Sequence, residues 1–262
     1  MQGHFYPGDP AGLRRDVTSC LRCREGGPTP ARGVIAPHAG YMYSGNVAGA
    51  VYASALLPRR LVLIGPNHTG LGRPVSVMNR GVWETPLGAV AIDETLSDLI
   101  LDASGTAEED EAAHRAEHSL EVQIPFLQVT LEEFTFAPVC VGTGRLADLV
   151  DLGSGVATAI RSLGEPVGIV ISTDMSHYVP AEEARQQDYK AIRRMEVLDA
   201  EGLHKVVRQD EISMCGYAPA TAGLLALKLI GATSAELIAY ANSGDTSGDY
   251  REVVGYAGLI IP

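Results

Sequence analysis

Two runs, RLVLIG (60–65) and VGIVIST (167–173), stay apolar where a strand with one face in water would alternate apolar and polar side chains. A strand without alternation must be covered on both faces, which requires a sheet with helices above and below it. Further candidate strands are GVIAP (33–37), PVSVM (74–78), FTFAPVCVG (134–142), ELIAYAN (236–242) and VVGYAGLII (253–261). Helical stretches lie between or before them at 10–23, 46–57, 93–103, 118–132, 145–163, 181–207 and 218–230. Strands and helices in alternation predict an α/β class chain, a three-layer α/β/α sandwich with a largely parallel or mixed central sheet. No Pro/Ser-rich linker, fixed-period repeat or low-complexity tract interrupts residues 1–262, which read as a single domain.

Composition narrows the function classes. The formal net charge is −12, and the basic pairs Arg14-Arg15, Arg59-Arg60 and Arg193-Arg194 are isolated, so the chain lacks the clustered basic face that nucleic-acid binding requires. No apolar run reaches the roughly 18 residues of a membrane span, and MQGHFYPGDP has neither the charged nor the apolar part of a secretory signal. A cytoplasmic protein is expected. The four cysteines, at 20, 23, 140 and 215, are too few and too irregular for a disulfide framework. Cys20-x-x-Cys23 falls in LRRDVTSCLRCR without a second pair to complete a zinc site, and reads as helix cysteines.

In open α/β sheets the functional crevice lies beyond the carboxyl ends of the strands. The strand at 33–37 hands over His38-Ala39-Gly40-Tyr41, that at 60–65 hands over Pro66-Asn67-His68, and that at 167–173 hands over Asp174-Met175-Ser176-His177. Three of the seven histidines therefore fall just past strand ends and converge on one cleft. Convergent imidazoles most often bind metal. His38 and His68 can reach one ion, and Cys215, in a Gly/Pro-containing turn before a helix, is the candidate third ligand; the helix dipole and a cation there would favour its thiolate. The spacing Asp174-x-x-His177 suits a carboxylate that orients an imidazole and raises its pKa, making His177 a candidate general acid/base. His118, at the mouth of a helix, is a candidate substrate contact supported by Glu121, and Asn67 and Tyr41 offer polar groups beside the histidines. Tyr43 and Ser44 offer further hydroxyls. The acidic run AEEDEAAHRAEHS (107–119) reads as a solvated loop and His114 as a solvated residue within it. The loop NSGDTSGD (242–249) either closes over the site or connects two strands.

The segments FYPGDPAGL, APHAGYMYSG, GPNHTG, TPLG, EHSLEVQIPFL, STDMSHY, MCGYAP and NSGDTSGDYREVVGY, in that order from residue 3 onward, resemble the Memo family, found in many bacteria and archaea as the B protein of the AmmeMemoRadiSam system. That family is similar in fold to class III extradiol dioxygenases, non-haem iron enzymes. The resemblance implies a metal site from His38, His68 and Cys215 with Asp174 and His177 close by, and functional association with a separate radical SAM protein and an AMMECR-type protein. Extradiol enzymes complete two histidines with a carboxylate. A thiolate in its place favours copper, zinc or an electron-rich iron, so that iron or copper is the expected ion.

Three functions follow as expectations. The first is a dioxygenase-like, metal-dependent oxidoreductase with His38, His68 and Cys215 on iron or copper and His177 handling protons. The second is a hydrolase using metal-bound water or Cys215 as nucleophile. The third is a non-catalytic module that holds a peptide or small molecule in the cleft, in keeping with the signalling and motility roles of animal Memo relatives.

Overall fold

In the computed structural model, which describes residues 1–262, a nine-stranded mixed sheet forms the centre of the chain. Helix α1 (Pro10–Cys20) opens the fold, with Pro10 in its first turn and Asp9 capping the Gly12 amide at 2.7 Å. There follow β1 (Gly33–Ala36), α2 (Tyr41–Ser54), β2 (Arg60–Pro66), β3 (Val75–Val77), the hairpin β4 (Val82–Thr85) and β5 (Gly88–Ala91), α3 (Glu94–Ala103), α4 (Ile124–Leu131), β6 (Thr135–Val141) and α5 (Leu146–Leu163). The second half contains β7 (Gly168–Ser172), β8 (His177–Val179), α6 (Ala181–Glu196), α7 (Ala200–Gln209), α8 (Tyr217–Leu229), β9 (Glu236–Asn242) and β10 (Val253–Ile261).

Strands β1, β7, β2 and β6 are parallel neighbours in that order, with Val34 opposite Val170, Val170 opposite Leu63 and Leu63 opposite Pro138. β10 joins β1 antiparallel, β3 joins β6 antiparallel, β9 and β8 both pair with β10, and the two-residue strand Glu108–Glu109 completes the nine by pairing parallel with β3. All four parallel strands therefore end at one edge of the sheet, where the functional residues gather. On one face Ile35, Ile64, Ile171 and Leu259 pack under α3, α5, α6, α7 and α8; on the other Val34, Leu63, Val170 and Ile260 pack under α1, α2 and α4. These residues are 0% exposed, which explains why the strands do not alternate.

Several element boundaries differ from the sequence reading. The helix expected at 46–57 begins at Tyr41, directly after the His38 turn, so the approach to α2 is itself part of the site. The helix expected at 181–207 is two helices, because Leu198 takes a left-handed φ of 50° and Asp199 starts a new helix by capping Gly202. The stretch 118–132 holds only a 3-10 turn at Glu121–Gln123 followed by α4, and Cys23 lies beyond α1, exposed and unpaired. The hairpin β4–β5 and the strand β8 were not apparent as strands, because both are short and largely outside the core. No helix is long and apolar enough to cross a membrane.

α1 crosses α2 at Gly49, where a Cβ would press into the backbone carbonyl of Cys20. On an exposed helix Gly→Ala gains up to about 1 kcal/mol. Gly49→Ala should instead cost about 1–3 kcal/mol through overpacking, visible as a lower urea midpoint at unchanged m.

Candidate functional site

His38 leaves β1 into a buried polar network. Its ring is 1% exposed, and Nδ1 lies 2.9 Å from the Ser172 hydroxyl. That hydroxyl donates its one hydrogen to the Ser119 carbonyl at 2.6 Å and accepts from Gln123 Nε2 at 2.9 Å. It can therefore only accept from His38, which places the proton on Nδ1 and leaves the Nε2 lone pair facing Cys215 Sγ, 3.2 Å away. Burial, with the imidazoles of His118, His68 and His177 adding to it, holds His38 well below the usual histidine range.

His68 follows β2. Its backbone amide donates to Glu117 Oε2 at 2.5 Å and its Nδ1 sits 2.8 Å from Glu117 Oε1, which again leaves Nε2 as the free ring nitrogen. Glu117 is 3% exposed. Burial by itself would raise its pKa, but the bonds from His68 and the Ser119 amide outweigh it and hold the carboxylate ionised, at about 2. Cys215 stands at the turn before α8, where Gly216 allows the chain to press against Thr173 at the end of β7; any side chain at 216 would collide there. The Asp174 amide donates to Cys215 Sγ at 3.3 Å. The ligand atoms offered by His38, His68 and Cys215 lie within 4.8 Å of one another, and so do those of His68, Glu117 and His118.

The remaining expected residues divide. Asp174 and His177 are at the site, but the carboxylate does not hold the imidazole. Asp174 Oδ1 accepts from the His38 amide at 2.7 Å, whereas His177 Nδ1 faces the carbonyls of Met175 at 2.7 Å and Ser213 at 2.9 Å. Carbonyls only accept, so Nδ1 carries the hydrogen and Nε2 is the atom free for proton exchange. Asp174 is pushed up by burial. His118 lies face to face with His68 at 4.7 Å and with Phe5 of the N-terminal arm at 4.3 Å, forming a three-ring stack, and burial lowers it to about 4.

Other expectations are corrected. Tyr41 is no substrate contact: its ring is buried against Phe126 and its hydroxyl donates to the Val122 carbonyl at 2.7 Å. Asn67 is used within its own loop, accepting from Thr69 and Gly70 and donating to Leu71. Glu121 supports Tyr6 at 2.5 Å rather than His118. The acidic run is not wholly solvated, since Glu117 is buried inside it. His114 is likewise buried, T-shaped on Trp83 at 5.9 Å, with both ring nitrogens lacking a partner, beside a cavity of about 200 Å³. Nor does the Cys215 thiol have a low pKa: burial pushes it up, and a bound cation is what would hold the thiolate. Glu117, Ser172 and Gln123 escaped the sequence reading. The Glu117–His118 neighbourhood was the available signal, a carboxylate adjoining a candidate cleft histidine.

Fold and cluster together define an α/β/α sandwich protein with a candidate two-histidine, one-cysteine metal centre at the carboxyl edge of its parallel strands. The family described as Memo-like protein matches residues 1–260, and the chain belongs to that family. The MEMO1 family protein MTH_45 of Methanothermobacter thermautotrophicus is 44% identical over 270 residues, covering 99% of this chain and 98% of the relative. The MEMO1 family protein MK0963 of Methanopyrus kandleri is 41% identical over 273 residues, covering 99% and 96%. A MEMO1 family protein of Aquifex aeolicus is 44% identical over 261 residues, covering 99% and 97%. Among solved structures, the uncharacterized protein JW3007 from Escherichia coli K12 shares the fold at a TM-score of 0.58 and 12% identity, over 86% of this chain and 98% of that one. These relatives carry the family name and no reaction.

Two outcomes follow from the geometry. Glu117→Gln keeps the shape beside His68 but removes the charge, and should weaken divalent-metal affinity roughly 10–100-fold in a competition titration. A histidine whose folded pKa lies below its unfolded one binds fewer protons folded than unfolded in the interval between, so stability falls as pH drops from 6.5 toward about 4 for His114. His114→Phe should flatten that fall in denaturant melts of metal-free protein while leaving stability near neutral pH unchanged or higher.

Proposed function

We propose that this chain is a metal-dependent oxidoreductase, dioxygenase-like in its architecture, which holds one iron or copper ion through His38, His68 and Cys215 and acts on a small molecule or peptide. The observation that carries this reading is the commitment of both Nδ1 atoms, to Ser172 and to Glu117, which leaves two Nε2 lone pairs beside one sulfur. Metal-binding histidines are commonly fixed in this way by a second partner. The donor set fits the ion: two neutral imidazoles and one thiolate suit iron and copper, and bulk carboxylate ligation of magnesium or calcium does not resemble it. The ion, when bound, supplies a redox centre and Lewis acidity. His177 contributes proton transfer through its free Nε2, its ring fixed by the Met175 and Ser213 carbonyls. Asp174 holds the His38 backbone in place, and the Phe5–His118–His68 stack orients the His68 ring.

The 3.2 Å contact of Cys215 Sγ with His38 Nε2 also favours a second reading, a thiol hydrolase with a Cys–His pair. Burial counts against it, because the thiol is held protonated and the cleft gives it no cation of its own. Metal analysis of protein purified without oxygen and without a metal-binding tag separates the two. The expected result is about one iron or copper per chain, lost in His68→Ala and Cys215→Ser. Folded wild-type protein that takes up neither ion, but whose Cys215 is alkylated readily, would replace the oxidoreductase with the hydrolase.

A further inference from the structure

Tyr256, on β10, is 2% exposed, yet its hydroxyl makes no hydrogen bond within the protein. The other three buried phenols have partners: Tyr6 on Glu121, Tyr41 on the Val122 carbonyl and Tyr52 on Gln123. A buried hydroxyl left unpaired loses its water without compensation, so such a group needs an explanation. The polar side-chain atoms that are sealed and unpartnered belong to Ser97, His114 and Ser176, not to Tyr256, whose hydroxyl therefore has an opening.

The topology says where it opens. β10 runs antiparallel to β1 with Ile260 opposite Val34 and Leu259 opposite Ile35, and three further steps of that register set Tyr256 beside His38. Gly255, its neighbour, is tied on both sides to the segment after Asp174: Met175 donates to its carbonyl and its amide donates to Ser176, each at 2.8 Å. Gly258, two residues along, faces Val47 and Val51 of α2, so Tyr256 projects on the α2 side of the sheet. Val34 and Ala36 lie on that same side, and His38 continues their alternation. The charge of Asp174 and the phenols of Tyr43 and Tyr178 are near enough to act on Tyr256, and with burial they keep it protonated.

Two of these neighbours border open solvent. Tyr43 is in the first turn of α2 and 37% exposed; Tyr178, directly after His177, is 74% exposed. Tyr178 is the residue extruded where the β8–β10 register shifts, and it holds a left-handed φ of 58°. A tyrosine pays steric strain there that Gly or Asn would not, and its ring gains no burial in return. Phe5 stacks on His118 and His118 on His68, and His68 at the end of that stack is itself exposed. The tyrosine side, through exposed Tyr43 and Tyr178, is thus one open approach to the candidate metal centre.

We propose that Tyr256 is a ligand-binding residue: its hydroxyl donates a hydrogen bond to a small anion held on the ion at the His38–His68–Cys215 centre, with Tyr43 and Tyr178 flanking the entrance. A protonated phenol offers a hydrogen and no charge, so the ion supplies the attraction and Tyr256 selects a ligand that can accept a bond. This rests on the metal-site reading, and cobalt(II) with azide separates the failure of one from the failure of the other. Cobalt(II) bound through Cys215 shows a thiolate charge-transfer band, and its visible d–d bands shift when azide joins it.

Tyr256→Phe removes only the hydroxyl. It should take up cobalt(II) with wild-type affinity and the same thiolate band, and bind azide roughly tenfold to a hundredfold more weakly. Tyr41→Phe, which loses a phenol bonded to the Val122 carbonyl, should leave azide affinity within about twofold, as a hydroxyl with no bond to the ligand predicts. An intact thiolate band with equal azide affinity in wild type and Tyr256→Phe, or with no azide response in wild type, would overturn the subsite alone. A wild-type protein that binds cobalt(II) without the thiolate band would overturn the metal site and the subsite together.

Discussion

One hydroxyl hydrogen decides the chemistry of the cleft. Ser172 ends β7 in the middle of the parallel sheet, fully buried, and its hydrogen goes to the Ser119 carbonyl. Having given that hydrogen away, Ser172 must accept from both Gln123 and His38. The choice fixes the tautomer of His38, and with it which ring nitrogen has a lone pair for the cluster. Gln123 is itself anchored by Tyr52 and by the Pro37 carbonyl. The turn at Glu121–Gln123, α2 and the ends of β1 and β7 are thereby locked into one network, and a change at any of them reaches the ring nitrogen that faces Cys215.

The two buried carboxylates near that network behave oppositely. Glu117 gathers the His68 amide, the His68 ring and the Ser119 amide, enough donors to remain ionised despite burial. Asp174 receives the His38 amide but no side-chain donor, and burial raises it. With Glu117 ionised and Cys215 able to become a thiolate, the cleft gathers negative charge without a lysine or arginine among its cluster residues. A cation is the simplest group that balances such a set, and it reverses the burial penalty on the sulfur at the same time.

Strand ends were legible because they follow from two patterns, apolar runs and the residues that terminate them. His38, His68 and His177 each sit where a run stops, and the structure brings all three to one edge. Asp174 was legible as a site residue but not in its role: a spacing of three residues suggests a pair, whereas hydrogen-bond partners depend on where the β1 amide arrives from 136 residues away. Glu117 was hidden by composition, because a charge run reads as solvated although one of its members is buried. Tyr256 was hidden by its setting in an apolar strand, VVGYAGLII, where an aromatic residue reads as core. The division of α6 from α7 was legible in principle from Asp199 followed by Gly202, an N-cap and the amide it receives.

The cluster is built before any ion is considered. His38 and Cys215 are 177 residues apart in sequence, and an ion joining them would close a long loop of chain. In this fold the loop is already closed by other bonds: His38 amide to Asp174, His68 amide to Glu117, Asp174 amide to Cys215 and Gly216 amide to Thr173. The bonds to the His38 and His68 amides and to the Gly216 amide hold the backbone of a candidate ligand residue or its neighbour without using a ring nitrogen or the sulfur, and the Asp174 amide holds the Cys215 sulfur itself. Ordering entropy for the ligands is therefore met by the fold, so that ion binding has little chain left to organise. The Gly216 turn depends on the absence of a side chain and the Ser172 network on a single hydrogen. The site is consequently sensitive to changes that leave all three candidate ligands in place, and the residues around them are as much a condition of its geometry as His38, His68 and Cys215 are.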